Sequence, residues 1–269
     1  MNMLKILAKY WAAYTFSFRE IVYYAKKLQV SFLMTPIRII IMILLYQYAF
    51  SYVGKNVAGI DSTIAVWSIA IYHILLFTQF RGIFDVINTE IRNGVIEMQL
   101  IKPYSYILFK ISSHLGKSAL NFGINTLVAL LILFIFTPGL PFTFDLSRFL
   151  GFLALAFSGT IVSAGLYVLI ALASFWIDDA DPLYWIVDKL ILILGGSYIP
   201  VIMLPNWIKS FNFYSPFGSP MFATQVFNPN FWNDFPKFIL NQLTWGIVLF
   251  ALIFALLAKA NRKISINGG

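Results

Sequence analysis

Residues 149–177 read FLGFLALAFSGTIVSAGLYVLIALASFWI, twenty-nine positions without one charged side chain. A soluble helix must show water a polar face, and this stretch has none to show. Wound as a helix, about 20 apolar residues cross the hydrocarbon of a bilayer with every backbone group bonded internally. Five further uncharged stretches cover 39–54, 62–80, 118–144, 190–208 and 238–258, the first cut short by Arg38. The reading is an all-α polytopic membrane protein with six transmembrane helices over 34–54, 62–86, 117–137, 149–177, 183–203 and 238–259.

Composition agrees: 60% hydrophobic and 18% aromatic residues against 11% charged would leave a soluble fold without a polar surface. Six spans use most of 269 residues, so residues 1–269 form a single membrane domain with no room for a soluble catalytic one. The absence of cysteine removes disulfides, thiolate metal sites and cysteine nucleophiles. Residues 1–28 are too charged, and precede the first span by too much, for a cleaved signal peptide.

Six spans put both termini on one side, so the basic residues can be compared side against side. The terminal side carries Lys5, Lys9, Arg19, Lys26, Lys27, Arg38, Arg81, Arg92, Lys102, Lys110, Lys117, Lys189, Lys259, Arg262 and Lys263; the other carries only Lys55, Arg148, Lys209 and Lys237. Positive residues mark the cytoplasmic side, which places both termini there. The net charge of +8 then reflects topology and contact with anionic lipid. A nucleic-acid partner is disfavoured, because the basic residues are spread over several loops.

Ahead of the first span, Leu4, Leu7, Trp11, Tyr14, Phe18, Ile21, Ala25 and Leu28 recur at helical spacing, with Lys5, Lys9, Glu20 and Lys27 opposite. Aromatic residues in the stripe favour an interfacial helix over 1–29 rather than a coiled-coil seam. After the second span, residues 88–103 form the most charged cytoplasmic loop. Asn88 or Thr89 can cap a helix start there, Asn93-Gly94 supplies a left-handed terminator, and Pro103 ends a short apolar turn. Ile91, Val95, Ile96, Met98, Leu100 and Ile101 lie between its charges and require a membrane or a partner protein to cover them.

Lys110, His114 and Lys117 form a basic stripe leading into the third span, with a snorkelling role. Asn121 and Asn125, and the small residues Ala156, Gly159 and Ser163, mark helix packing within spans. Asp178, Asp179 and Asp181 resemble a magnesium-binding aspartate cluster; the simpler reading is a polar turn in which Asp181-Pro182 opens the fifth helix. Gly116-Lys117-Ser118 lacks the earlier glycine of a phosphate loop. His73 and His114 have no carboxylate or nucleophile nearby in sequence, and the spans are read as carrying no central acidic residue of the kind ion-coupled transporters use, which argues against ion-gradient coupling.

Residues 204–237 hold five prolines and ten aromatic residues but only Lys209, Asp234 and Lys237 as charges. The stretch is too apolar for a solvated loop and too broken for a span. Ser215-Pro216 and Ser219-Pro220 each read as a cap and first helical residue, giving short external re-entrant helices before the last span. In this reading Trp207, Phe211, Phe217 and Phe222 form an external gate, with Pro205 and Pro216 setting its bends.

The order of these features, with Glu90, Ile91, Arg92, Gly94, Leu100, Lys102 and Pro103 in the loop, and Gly195, Gly196, Pro200, Leu204, Pro205, Trp207, Pro216 and Phe217 around the fifth span, resembles the permease of a type-2 (ABC-2 type) ABC transporter, within a bacterial subgroup of uncharacterised permeases. The resemblance implies a bacterial plasma-membrane, non-catalytic subunit that exports an amphiphilic or hydrophobic substrate. The loop resembles a coupling helix that docks on a separate ABC ATPase subunit, with Glu90, Ile91, Arg92, Gly94, Val95, Glu97, Lys102 and Pro103 as its residues. ATP and magnesium would be bound by that ATPase and no cofactor by this chain; a second permease chain, identical or different, would complete the pathway. Two alternative classes are an ion-independent secondary transporter or channel, which would work without an ATPase, and a membrane-embedded lipid-modifying enzyme, which would bind magnesium at the aspartates.

Since there is no native cysteine to remove, the orientation is directly testable. Single cysteines at Asn93, Asp179 and Asn261 are expected to be shielded from a membrane-impermeant maleimide in intact cells, and ones at Asn56 and Asn212 to react. Labelling of Asn93 from outside contradicts the orientation.

Overall fold

A computed structural model describes residues 3–23, 26–54, 59–76, 80–141 and 145–267, and among them the chain is helical with no strand. The helices are α1 (Met3–Tyr23), α2 (Lys26–Val53), α3 (Ser62–Leu76), α4 (Arg81–Arg92), α5 (Ile96–Leu100), α6 (Tyr106–Phe136), α7 (Leu146–Ala173), α8 (Asp181–Leu194), α9 (Asn206–Tyr214) and α10 (Phe231–Asn267). Two 3-10 segments, Val201–Met203 and Ser219–Phe227, flank α9. Among the described residues, five stretches are long and apolar enough to cross a membrane: Thr35–Val53, Ser62–Arg92, Tyr106–Phe136, Leu146–Ala173 and Phe231–Asn261. Several positions used in the sequence reading lie outside the residues whose side chains are described, among them Leu4, Ala25, Leu28, Lys55 and Asn56.

Side-chain contacts sort the helix ends into two groups. At one end, here the near end, Lys110 of α6 pairs with Glu90 of α4, Asn88 of α4 donates to Asp181 of α8 at 3.4 Å, and Lys9 of α1 donates to the Pro103 carbonyl at 3.3 Å. At the far end Gln47 of α2 donates to the Phe136 carbonyl at 3.1 Å, and the Trp67 indole of α3 donates to Thr137 at 3.2 Å. The Arg148 guanidinium lies 5.7 Å from the Phe231 ring centre there, joining the starts of α7 and α10.

Helix bounds depart from expectation where local chemistry intervenes. The expected span over 183–203 is helical only to Leu194, fourteen residues that rise about 21 Å. Gly196 adopts φ +86° there, and Gly195 lies where a Cβ would stand 2.7 Å from Met221 and 2.8 Å from Tyr72, so the helix is stopped by a close-packed glycine turn. Within the expected 62–86 helix the described residues form α3 to Leu76 and α4 from Arg81, with Phe80 at φ −83°, ψ 29° just before α4, and α4 continues to Arg92. Asn88 and Thr89 therefore lie inside α4 and cap nothing. The 117–137 helix starts earlier, at Tyr106, because Ser105 accepts from the Leu108 amide just after Pro103. Asp145 caps α7 in the same way; hydrogen bonds from the Ser147 hydroxyl and amide hold its carboxyl below the usual carboxylate range.

Between helices in hydrocarbon, close van der Waals contact and hydrogen bonds supply the attraction that apolar burial supplies in water. Gly116 lets α1 cross α6 at backbone distance, since a Cβ there would stand 2.2 Å from the Tyr14 carbonyl oxygen. Ser17 and Ser113 share a 2.6 Å hydrogen bond across the same crossing. Thr35 of α2 donates to Asn125 of α6 at 2.6 Å. Gly159 of α7 admits the 3-10 segment, its absent Cβ facing the Pro220 carbonyl at 2.5 Å. Gln242 of α10 closes that junction, donating to the carbonyls of Leu155 at 3.1 Å and Ser219 at 2.8 Å and accepting from Ser158. Gly159 of the small-residue stripe and Asn125 of the paired asparagines thus serve packing.

Candidate functional site

The near end presents a helix, a tight turn and a second short helix between α4 and α6. α4 forms because its apolar residues recur at helical spacing: Ile83, Phe84, Ile87 and Asn88 are buried on one face while Asp85, Val86 and Thr89 are exposed on the other. It ends at Asn93, whose amide donates to the Thr89 carbonyl at 3.0 Å, followed by Gly94 at φ +69°. Nothing lies within 4 Å of where a Gly94 Cβ would stand, so the glycine is needed for its backbone conformation and not for space.

Beyond the turn, Ile96 is buried and anchors α5, Ile91 and Leu100 are half-buried against the core, and Val95 is half-buried. Met98 and Ile101 point outward, 64% and 83% exposed. Arg92, Asn93, Gly94, Glu97, Lys102 and Pro103 are exposed beside them. The loop returns to the bundle through α1: Lys9 donates to the Pro103 carbonyl, and the Ser105 amide donates to the Tyr10 hydroxyl at 3.1 Å. Its shape is thereby fixed at both ends, and the middle carries an apolar pair rimmed by charges.

Glu90 stands apart from the other loop residues. Its carboxylate accepts from the Tyr106 hydroxyl at 2.6 Å and pairs with Lys110, both on α6, so it ties α4 inward. Asn88 does the same toward α7 and α8, accepting from Ser174 at 2.7 Å and donating to Asp181. The deepest tie is at the start of α4, where Arg81 Nε lies 2.6 Å from Asp188 Oδ1. Asp188 is 3% exposed, and Tyr167 of α7 also donates to its Oδ1 at 2.9 Å. The Phe84 and Tyr184 rings stack at 4.6 Å beside this cluster.

The sequence reading missed this pair. Asp188 lies inside the expected fifth span, eight positions into DPLYWIVDKLILIL, and an acid among apolar residues was the available signal. Asp178, Asp179 and Asp181 form a turn, Asp179 accepting from the Asp181 amide at 3.0 Å, and Ala180 precedes the helix in the capping position. No group of three His, Cys, Asp or Glu among the described residues is placed to hold a metal ion. His73 contacts the Ile69 carbonyl at 2.9 Å, and His114 packs on the Phe80 ring at 4.6 Å.

At the far end the six residues expected as an external gate fall in different surroundings. Phe222 is buried, 4.7 Å from Phe238 and stacked on Phe213 at 6.0 Å, and Phe217 is half-buried against the core. Trp207 and Phe211 face outward from α9. Pro205 precedes α9 and sets its start, whereas Pro216 follows its end in a turn and opens no helix; the 3-10 segment begins at Ser219-Pro220 instead.

Compared with known families, residues 13–226 match the family described as ABC-2 type transporter. The match runs from within α1 to the 3-10 segment and includes the whole of the near-end loop. No curated protein matches the chain.

Asp188 is 3% exposed while the Arg81 side chain is 30% exposed, and Lys189 also lies 3.6 Å from Asp188 Oδ2. Asp188→Asn leaves Arg81 without its carboxylate and is expected to cost about 1–3 kcal/mol, read as a lower thermal unfolding midpoint of the purified chain in detergent. Combining Arg81→Met with Asp188→Leu is expected to recover most of that loss. An Asp188→Asn variant as stable as the parent contradicts the fastening.

Proposed function

Since the chain belongs to the ABC-2 type transporter family, we propose that it is the membrane permease subunit of an ATP-driven ABC transporter, exporting an amphiphilic or hydrophobic substrate across a bacterial plasma membrane. The observation that carries the reading is the exposed Gly94 turn and α5, presented at the end of a helix tied inward at Arg81, Asn88 and Glu90. A partner pressing on such a turn moves α4 as a unit, because its ties are short and face three different helices.

In this proposal a separate ABC ATPase binds ATP and magnesium, and this chain holds no cofactor. Met98 and Ile101 enter a groove on the ATPase, while Arg92, Glu97 and Lys102 choose the orientation. Ile91 and Val95 support the patch from behind, Pro103 ends it, and Glu90 fixes its base. The near end is cytoplasmic, as the excess of lysine and arginine there supports. α8 serves as a short fifth crossing among six. A second permease chain supplies the other half of the pathway, and ATP-driven closure rocks the two between inward-facing and outward-facing states.

The far-end stretch closes the exit. Phe217 and Phe222 fill the inner side of this gate, Trp207 and Phe211 seat it at the outer interface, and Pro205 and Pro216 bound α9. Trp207 is 74% exposed, as an interfacial aromatic would be.

Glu97→Arg and Gly94→Val test the docking. Each is expected to leave the membrane domain folded while weakening copurification of the ATPase, or separating ATP hydrolysis from transport. A buried charge pair lost at such an interface costs about 2–5 kcal/mol. Unchanged copurification and transport in both variants would remove the loop from the mechanism.

A further inference from the structure

A cavity of about 470 Å³ opens at the far end between α9, the 3-10 segment and the first turns of α10. That volume falls in the range of sites for small organic ligands. Its lining combines two chemistries: Lys209, Lys237 and Asp234 carry charge, while Phe213, Phe222 and Phe238 form an aromatic wall. The aromatic wall is rigid, since Phe222 lies 4.7 Å from Phe238 and stacks on Phe213.

The charges do not cancel. Lys237 pairs with Asp234 at 3.6 Å, and Lys209 makes no side-chain ion pair among the described residues, so the cavity keeps one uncompensated cation. Around it, Trp207 and Tyr214 on α9 and Trp232 on α10 are exposed. Tryptophan and tyrosine collect where hydrocarbon meets head groups, which sets the mouth of the cavity at that depth. A cation beside a fixed apolar wall at head-group level is complementary to an anionic amphiphile, of which a phosphate ester carrying an apolar chain is the kind a membrane supplies in quantity.

We propose that this cavity binds the anionic head of a phosphate-bearing amphiphile, with Lys209 as its counter-ion, Lys237 as a second donor, and Phe213, Phe222 and Phe238 holding the first carbons of the chain. As a station on an export route the site rests on the permease reading. Its occupancy does not, because binding needs no ATPase.

The full-length chain, purified in a non-ionic detergent, is titrated calorimetrically with dihexanoyl phosphatidylglycerol, dihexanoyl phosphatidylcholine and inorganic phosphate. Phosphatidylglycerol is expected to bind at least tenfold more tightly than either of the others. Lys209→Gln is expected to weaken it about tenfold and abolish the preference over phosphatidylcholine, and Lys209→Arg to retain both. Phe238→Ala is expected to weaken the lipid while leaving the weak phosphate binding unchanged. Equal affinity for the two lipids, or an unchanged preference in Lys209→Gln, overturns the proposal. Phosphate binding as tightly as phosphatidylglycerol overturns the amphiphile assignment in favour of a free anion. Copurification of the ATPase with the same preparations separates the two readings: a chain that recruits the ATPase without binding the lipid loses only this inference.

Discussion

The ion pair between Arg81 and Asp188 is the contact on which the position of α4 depends most. Apolar side chains gain little by leaving lipid for protein, so a helix within a membrane bundle is located by close backbone contact and by polar groups that find partners. α4 has few small residues with which to approach its neighbours. It is held by polar ties spaced along its length: Arg81 to Asp188, Asn88 to Ser174 and Asp181, Glu90 to Tyr106 and Lys110. Breaking the pair leaves the Asp188 carboxylate, 3% exposed, with Lys189 at 3.6 Å as its remaining cation, which makes the arrangement costly to leave and definite in its geometry.

α8 connects this near-end fastening to the far-end structure. Asp188 sits in its middle, and the carbonyl of its last residue, Leu194, accepts from Asn212 of α9. The Gly195–Gly196 turn follows, packed under Tyr72 and Met221. In the proposed mechanism, displacement of the near-end loop reaches the far-end cavity through α4, Asp188, α8 and Asn212, without a long chain of soft contacts. Gln242 and Gly159 hold the 3-10 segment to α7 and α10, so one wall of the cavity stays with the bundle while α9 follows α8.

The features legible in the sequence were those written in local pattern. Uncharged runs gave the long helices, the recurrence of apolar residues gave α1, and Asn93-Gly94 gave the left-handed turn. The small residues of α7 were read correctly as packing because their chemistry offers little else. What the pattern could not supply was the identity of partners distant in the chain. Glu90 looks like a docking residue until Tyr106 and Lys110 are seen across from it. Asp188 is a lone acid in the middle of an apolar helix, and its role is not apparent until Arg81 and Tyr167 meet it. The short α8 depends on how closely Tyr72 and Met221 approach Gly195, a distance set by three elements together. The scattering of the six expected gate residues has a similar cause, because the turn at Pro216 sends α9 and the 3-10 segment to different surroundings.

The central claim is that the outward face of α5 is where the ATPase docks, and a crosslink tests it most directly. A photoreactive amino acid replaces Met98, which is 64% exposed on α5, or Leu127, which is 71% exposed on α6 away from the loop. The account predicts that irradiating the copurified complex gives a covalent adduct between the Met98 position and the ATPase subunit, and none from Leu127. An ATPase that copurifies yet is captured only from Leu127 would contradict it.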